Sequence, residues 1–516
     1  MTMGTRIIAN MYRDSVALMK ISSGISLLEG VTQASCIMAT PGNLELLREA
    51  GLLVDDTAAG PNEVLIAVEG DNDDAVTTAM DAAEAELRAT PTASGDGSAD
   101  DREPPRSQEM ALDEQIGANL ALIATPGPFA TAEAVKSIRL GLNVMMFSDN
   151  VSIDDEIALK TRADQDALMV MGPDCGTAII DGAPLGFANA VRRGSIGIVA
   201  ASGTGLQQVS CLIDGAGGGI SQAIGTGGRD LDARVGGITT QRAIRALTDD
   251  ADTQVIVLIS KPPAPEVAAI VLDLAAQSGK PVIACLLGVE PAALERPGVA
   301  FAATLEDAAR LAIAAAGIEA PSLAGRATVE PLPQIRESDG PGGPRSYLRA
   351  LYSGGTFCYE ALTMLNGHLE EIYSNSSYAS VQALNDPWSS AGHTVLDLGD
   401  DVFTRGRPHP MIDHRLRNDR LIAEAENPET AVILFDVVLG HGAHEDPVAA
   451  MAPALTEIRD RHNGNGPVLL GFVCGTDGDP QGIARQKAKI TELGVTLADN
   501  NAQAVRTARA ILGDAP

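Results

Sequence analysis

GSIGIVAASGTG, residues 194–205, opens as an apolar run and closes on small residues. The run has no alternation, which is how a strand looks when both of its faces are covered in a parallel sheet. Ala201-Ser202-Gly203-Thr204-Gly205 then lets the backbone come close to an anion. The first N–H groups of the following helix and the Ser and Thr hydroxyls would bind phosphate or carboxylate there. On local sequence alone, the alternative is a plain tight turn between strand and helix.

The same grammar extends in both directions. Upstream, NLALIAT, NVMMFS and ALMVMGP are apolar runs separated by helical patterns. Downstream, VIVLIS and PVIACLLG complete one unit, and LRALYSGG, HTVLDLGD, AVILFDVVLG and PVLLGFVCGT make another. Strand–helix alternation along the chain predicts an α/β protein with several doubly wound parallel-sheet domains, Rossmann-like and flavodoxin-like, whose ligands sit at strand carboxyl ends. Residues 1–90 read as a small α/β domain, with strands near Thr5–Ala9, Ala34–Met38 and Glu63–Val68. Residues 91–110 and 321–344 are rich in Pro, Gly and polar residues and read as linkers. They divide the rest into 111–190, 191–320 and 345–516.

Two further loops have the small-residue pattern. Leu439-Gly440-His441-Gly442-Ala443 follows AVILFDVV and precedes a helix from about Pro447. Gly172-Pro173-Asp174-Cys175-Gly176 follows ALMVM, where an ordinary Pro-Asp turn is the alternative. A fourth loop, Asp397–Asp401 running into FTRGRPHP, gathers Arg405, Arg407, His409 and three carboxylates. It suits an anion or a metal, and a solvated charged loop suits the composition equally. Neither GxGxxG nor GxxxxGK[ST] occurs, so dinucleotide and P-loop readings lose support.

A net charge of −31 argues against nucleic-acid binding. No run reaches the ~18 apolar residues of a membrane span, and the first ten residues do not read as a signal peptide. Six scattered Cys without a CxxC pair fit a reducing cytoplasm and argue against structural zinc. All seven His lie after residue 367, so the first two-thirds of the chain has no histidine chemistry. His441 and His444 stand at i, i+3, but two ligands do not make a metal site, and none is expected.

TPGPF (125–129), NVMMFSDNV, MGPDCG and GSIGIVAASGTG with IGTGGRDL resemble the α subunit of succinyl-CoA synthetase. Residues 345–516 resemble the carboxy-terminal ligase domain of its β subunit. The fused order, with SDNV, GPDCGT, SKPP, GRPHPMID and LFDVVLG, is similar to the FdrA family. The resemblance implies a CoA-binding-like domain at 111–190 and ligase-like domains at 191–320 and 345–516. It also implies an acyl-phosphate pocket between helix N-termini at loops 202–205 and 440–442. In that reading Ser202, Gly203, Thr204, Gly205, Gly440, Gly442, Asp174 and Cys175 bind phosphate or substrate, and Arg405 or Arg407 holds a carboxylate. His441 or His409 moves a proton. Lys261, where the synthetase tends to have an acidic residue, meets an anion.

The sequence departs from the synthetase in two ways. Gly288–Ala302, where the phosphohistidine would fall, has no His, and no ATP-grasp module precedes the β-like part. An enzyme receiving a ready-made mixed anhydride fits these departures. FdrA resemblance implies a carbamoyltransferase subunit of ureide catabolism, converting oxalurate and phosphate to oxamate and carbamoyl phosphate with partner subunits. No resident cofactor is implied, and CoA stays open. The alternatives are a CoA-ligase-like subunit with a separate nucleotide-binding partner and a non-catalytic scaffold. A homo- or hetero-oligomer in the cytoplasm is expected.

Overall fold

The computed structural model describes residues 2–9, 11–13, 15–49, 51–53, 59–89, 105–115, 117–290, 292, 295–319, 327–335, 345–378, 380–405, 407–463 and 465–513. Most of both expected linkers lies outside these residues; within the first, Gln108–Glu114 is helical, capped by Ser107. The chain divides into two compact units. The smaller comprises Met1–Ala118, Ala124–Phe129 and Asp401–Pro408, and the larger holds the rest.

In the smaller unit, strands Thr2–Ile8 and Val31–Met38 flank Val64–Gly70, and both are antiparallel to it. The parallel pairing expected along the whole chain fails here. The helix Ser15–Ser26 joins two parallel strands that leave room for a third between them, a split βαβ arrangement. Val64 to Ala67 are fully buried because helices cover both faces of this central strand.

The larger unit contains three sheets. Leu120–Ile123, Asn143–Met146 and Val170–Met171 form a short parallel sheet. The second sheet has seven strands, five of them parallel. Taking Arg193–Ala201 as the first, these five lie in the order 2-1-3-4-5: Ile220–Gly225, Arg193–Ala201, Val255–Ser260, Val282–Leu286, Val299–Phe301. A hairpin, Thr177–Ile180 and Ala183–Gly186, adds antiparallel to the outer edge at Ile220–Gly225. The third sheet is wholly parallel. From edge to edge it runs Gln382–Ala383, Ile372–Ser374, His393–Asp397, Tyr347–Tyr352, Thr430–Val438, Val468–Cys474, Thr496–Ala498. The doubly wound architecture expected from the apolar runs is therefore present in both large sheets.

Each large sheet has one place where successive connections leave to opposite sides, and such switch points open a crevice at the strand carboxyl ends. In the second sheet it lies between Arg193–Ala201 and Val255–Ser260, at Ser202 and Lys261. In the third it lies at Tyr347–Tyr352, flanked by His393–Asp397 and Thr430–Val438.

Side chains tie the two sheets together. Asn189 Nδ2 donates to Leu439 O at 2.9 Å and to Asp479 Oδ2 at 2.8 Å. The N–H of Leu305, opening a helix of the second sheet's layer, donates to Glu360 Oε1 at 2.6 Å. Glu360 is fully buried, and that burial pushes its carboxyl up to about 7. Among the described residues, no helix is long and apolar enough to cross a membrane.

Candidate functional site

Ser202 caps the helix Gly203–Gly215, its Oγ accepting from Gly205 N–H at 3.0 Å. A Cβ on Gly205 would lie 2.3 Å from that Oγ, so the small residue is what allows the cap. Ser202 Oγ is also 2.7 Å from Thr356 Oγ1, and the two hydroxyls share one hydrogen bond. Thr356 stands in the first turn of the helix Gly355–Leu365, which starts at Gly354 straight after strand Tyr347–Tyr352. A Cβ on Gly354 would come within 2.4 Å of Thr204 Cγ2. Two helix N-termini, one from each switch point, thus meet nearly in contact. Both ends carry partial positive charge, which favours an anion between them.

Charged groups border this junction. A Cβ on Gly355 would be 2.6 Å from Asp397 Oδ2 and 2.9 Å from Lys261 Nζ, so a carboxylate and an ammonium flank one backbone atom. Burial pushes the Asp397 carboxyl up to about 6, against the charge of Lys261 and the Gly399 N–H that binds Oδ1 at 3.0 Å. Asn375 holds this strand end in place: its Nδ2 donates to Asp397 O at 2.9 Å, and its Oδ1 accepts from Asp397 N–H at 3.0 Å.

His409 reaches the same place, with Nε2 2.8 Å from where a Cβ on Gly399 would be. Its Nδ1 accepts from Met411 N–H at 3.2 Å, which leaves the proton on Nε2. Burial, helped by the charge of Arg417, holds the ring at about 4, so at neutral pH it is uncharged and its Nε2–H is the hydrogen it can offer. Behind it, Ser353 N–H donates to Asp436 Oδ1 at 2.8 Å and its hydroxyl donates to Oδ2. Arg417 Nη1 donates to Asp436 O at 2.7 Å. These buried groups fix the end of strand Tyr347–Tyr352.

Ser202, Gly203, Thr204, Gly205, Lys261 and His409 thus lie where two switch points meet. The helix end facing Ser202, however, is the one after Gly354 and not the loop 440–442 expected from sequence. Gly440 and Gly442 serve another purpose: a Cβ at Gly440 would be 2.7 Å from Ala188 O, and one at Gly442 3.1 Å from Phe187 Cδ1. His441 N–H donates to Ala188 O at 2.8 Å, and its side chain is exposed. The helix after this loop, Pro447–His462, is capped by the carboxylate of Asp446, which occupies the anion position.

Cys175 is buried, with its thiol pushed up to about 12 and its Sγ 3.4 Å from Gly225 O, so it packs and does not react. Asp174 is exposed beside Gly228. Arg405 and Arg407 are exposed in Asp401–Pro408 of the smaller unit, with Gly406 outside the described residues.

Among the described residues there is no group of three or more His, Cys, Asp or Glu placed to hold a metal. Over 500 residues the chain is 42% identical to YahF of Escherichia coli (strain K12), covering 95% of each. This FdrA-like chain belongs to the YahF family. Three family models match parts of it. A CoA-ligase model covers 351–511, a CoA binding domain 191–288, and the AllF heavy metal-associated domain 1–104. The α subunit of succinate–CoA ligase (ADP-forming) from Aquifex aeolicus (strain VF5) is 28% identical over 37% of this chain and 63% of its own length. For α subunit 2 from Archaeoglobus fulgidus the identity is 28%, over 28% of this chain and 51% of the relative. This YahF-family chain therefore spans half to two-thirds of those ligase subunits. The solved PH0766 from Pyrococcus horikoshii OT3 aligns over 77% of this chain and 84% of its own, at 13% identity and a TM-score of 0.33.

The residues present do not fit a metal in the heavy metal-associated domain. Residues 1–104 contain one Cys and no His, and Cys36 is buried with its thiol pushed up to about 12. For CoA, Asp149 and Asp174 are exposed at the carboxyl ends of Asn143–Met146 and Val170–Met171. Two carboxylates there do not suit a diphosphate. The helix end at Ser202, inside the matched CoA binding domain, suits a single phosphate better.

Asp397 makes the site pH-dependent. Its folded pKa of about 6 exceeds the usual carboxylate value, so between about pH 4 and 6 the unfolded chain has lost a proton that the folded chain keeps. This contribution favours folding below that window and is lost as pH rises through it, by about 3 kcal/mol at most. Asp397→Asn is expected to gain stability relative to wild type at pH 7.5 and to show little difference at pH 4. Urea unfolding at both pH values reads this, and equal differences at the two would contradict it.

Proposed function

We propose that this YahF-family chain handles a small acyl phosphate, as a CoA-ligase-like subunit that works with a separate nucleotide-binding partner. The meeting of the helix ends at Ser202 and Gly354, flanked by Lys261 and Asp397, carries this reading. Phosphate would lie on the two N-termini, with Lys261 balancing its charge. An acceptor X–H attacks the acyl carbon. The C–X bond forms as the C–O bond to phosphate breaks, and the electron pair leaves on phosphate. Asp397, able to change charge near neutrality, takes the acceptor's proton. His409, neutral with its proton on Nε2, donates a hydrogen bond toward the site.

A second reading is favoured by one observation: the His-free stretch Gly288–Ala302 gives no means of relaying phosphate from a nucleotide. In that version the acyl phosphate is carbamoyl phosphate, supplied or released whole. Calorimetric titration with inorganic phosphate tests the shared part. Wild type is expected to bind, and Lys261→Ala and Thr356→Val to weaken binding. No binding by wild type would sink both versions. Partner-reconstituted assays for acyl-CoA or for carbamoyl phosphate then separate them.

A further inference from the structure

Beside the junction lies a cleft of about 370 Å³ that the scheme above does not use. Tyr359, Ser374, Asn375, Ser376, Ser377 and Tyr378 supply its polar lining, and Val381 and Ala383 close it. Among the described residues, no Lys, Arg, His, Asp or Glu lines it. The rings of Tyr359 and Tyr378 pack at 5.1 Å, and Gly288 at the end of the second sheet's strand abuts both. Ser374 Oγ accepts from Ser376 N–H at 3.0 Å, so the loop is ordered by its own hydroxyls.

Two features connect the cleft to the junction. Asn375, which lines it, is the residue that pins the backbone of Asp397. Tyr359 lies on the same helix face as Gly355, four residues on, a rise of about 6 Å. That is the length of a chain of a few atoms. A molecule with its acyl carbon beside Gly355 would place its far end among the Tyr and Ser hydroxyls.

We infer that this cleft selects the far end of the substrate, accepting a short monocarboxylic acid with a neutral hydrogen-bonding end, such as an amide or hydroxyl, and rejecting the dicarboxylate of equal length. The inference rests on the acyl-phosphate reading of the junction. Its physical basis is that the lining, among the described residues, offers a second carboxylate no cation to pair with. A neutral amide needs only donors and acceptors, and hydroxyls and Asn375 supply both.

The test is calorimetric binding of succinamate and succinate to the full chain, with phosphate titrated in parallel. Wild type is expected to prefer succinamate at least tenfold. Ser377→Arg and Ala383→Arg, both at exposed positions on the cleft wall, are expected to shift the ratio toward succinate by a similar factor. Succinate binding as well as succinamate in wild type overturns the inference, as does a ratio unmoved by both arginines. If phosphate binds and neither acid does, the cleft assignment falls alone. If phosphate also fails to bind, the reading of the junction falls with it.

Discussion

If the proposed acyl-phosphate site is right, Gly355→Ala is expected to cost about a hundredfold in phosphate affinity while leaving the fold intact. The added methyl would sit 2.6 Å from Asp397 Oδ2 and 2.9 Å from Lys261 Nζ, closer than packed atoms allow, so both charged groups must move. Gly355 opens a regular helix without the left-handed φ seen at neighbouring loop glycines. Alanine is at least as good a helix former there, so the helix itself is not weakened. The loss therefore reads the site, at the scale of removing one preorganised group from an anion-stabilising arrangement. Gly354→Ala should behave likewise, because its methyl meets Thr204 Cγ2 at 2.4 Å and pushes the helix ends apart. Phosphate calorimetry with urea unfolding as control decides it. Unchanged affinity in both variants would mean that no anion sits between these helices.

Lys160→Ala is expected to destabilise the chain by about 3–5 kcal/mol, the usual cost of breaking a buried ion pair from one side. Lys160 Nζ donates to Glu156 Oε1 at 2.8 Å, to Asp230 Oδ1 at 2.7 Å and to Thr226 O at 3.0 Å. All three charged side chains are at most 1% exposed. Removing the ammonium leaves two carboxylates facing each other away from water. Asp230 keeps the N–H groups of Thr239 and Thr240 and the Thr240 hydroxyl, and Glu156 keeps Arg229, so the loss is partial. Lys160→Met with Asp230→Asn should recover part of it, because fewer unpaired charges remain buried. A urea midpoint for Lys160→Ala within error of wild type would refute this account.

The sheets were legible because their central strands are apolar on both faces, and few other structures give such runs. Half of the site was legible for the same reason: Ser202 and Lys261 follow SIGIVAA and VIVLIS directly. The partner helix escaped notice although Ser353-Gly354-Gly355-Thr356 has the same small-residue pattern. Its strand carries Arg349, fully buried against Glu424, which breaks the apolar run that draws attention elsewhere. The loop at Gly440 attracted a role it does not have. A glycine permits close approach, but sequence does not tell whether what approaches is a ligand or, as here, the backbone of Ala188. Asp397 stood inside a conspicuous charged loop, yet the loop's arginines belong to the smaller unit, so proximity in sequence grouped residues the fold sorts differently.

The near-contact of Thr204 with Gly354 also bears on inheritance. Bulk gained at position 354 can be admitted only if bulk is given up at 204, although 150 residues of chain separate them. Lineages of this protein should therefore vary the two codons together or not at all. A descendant with the two sheets on separate polypeptides would carry the same constraint from one gene to the other.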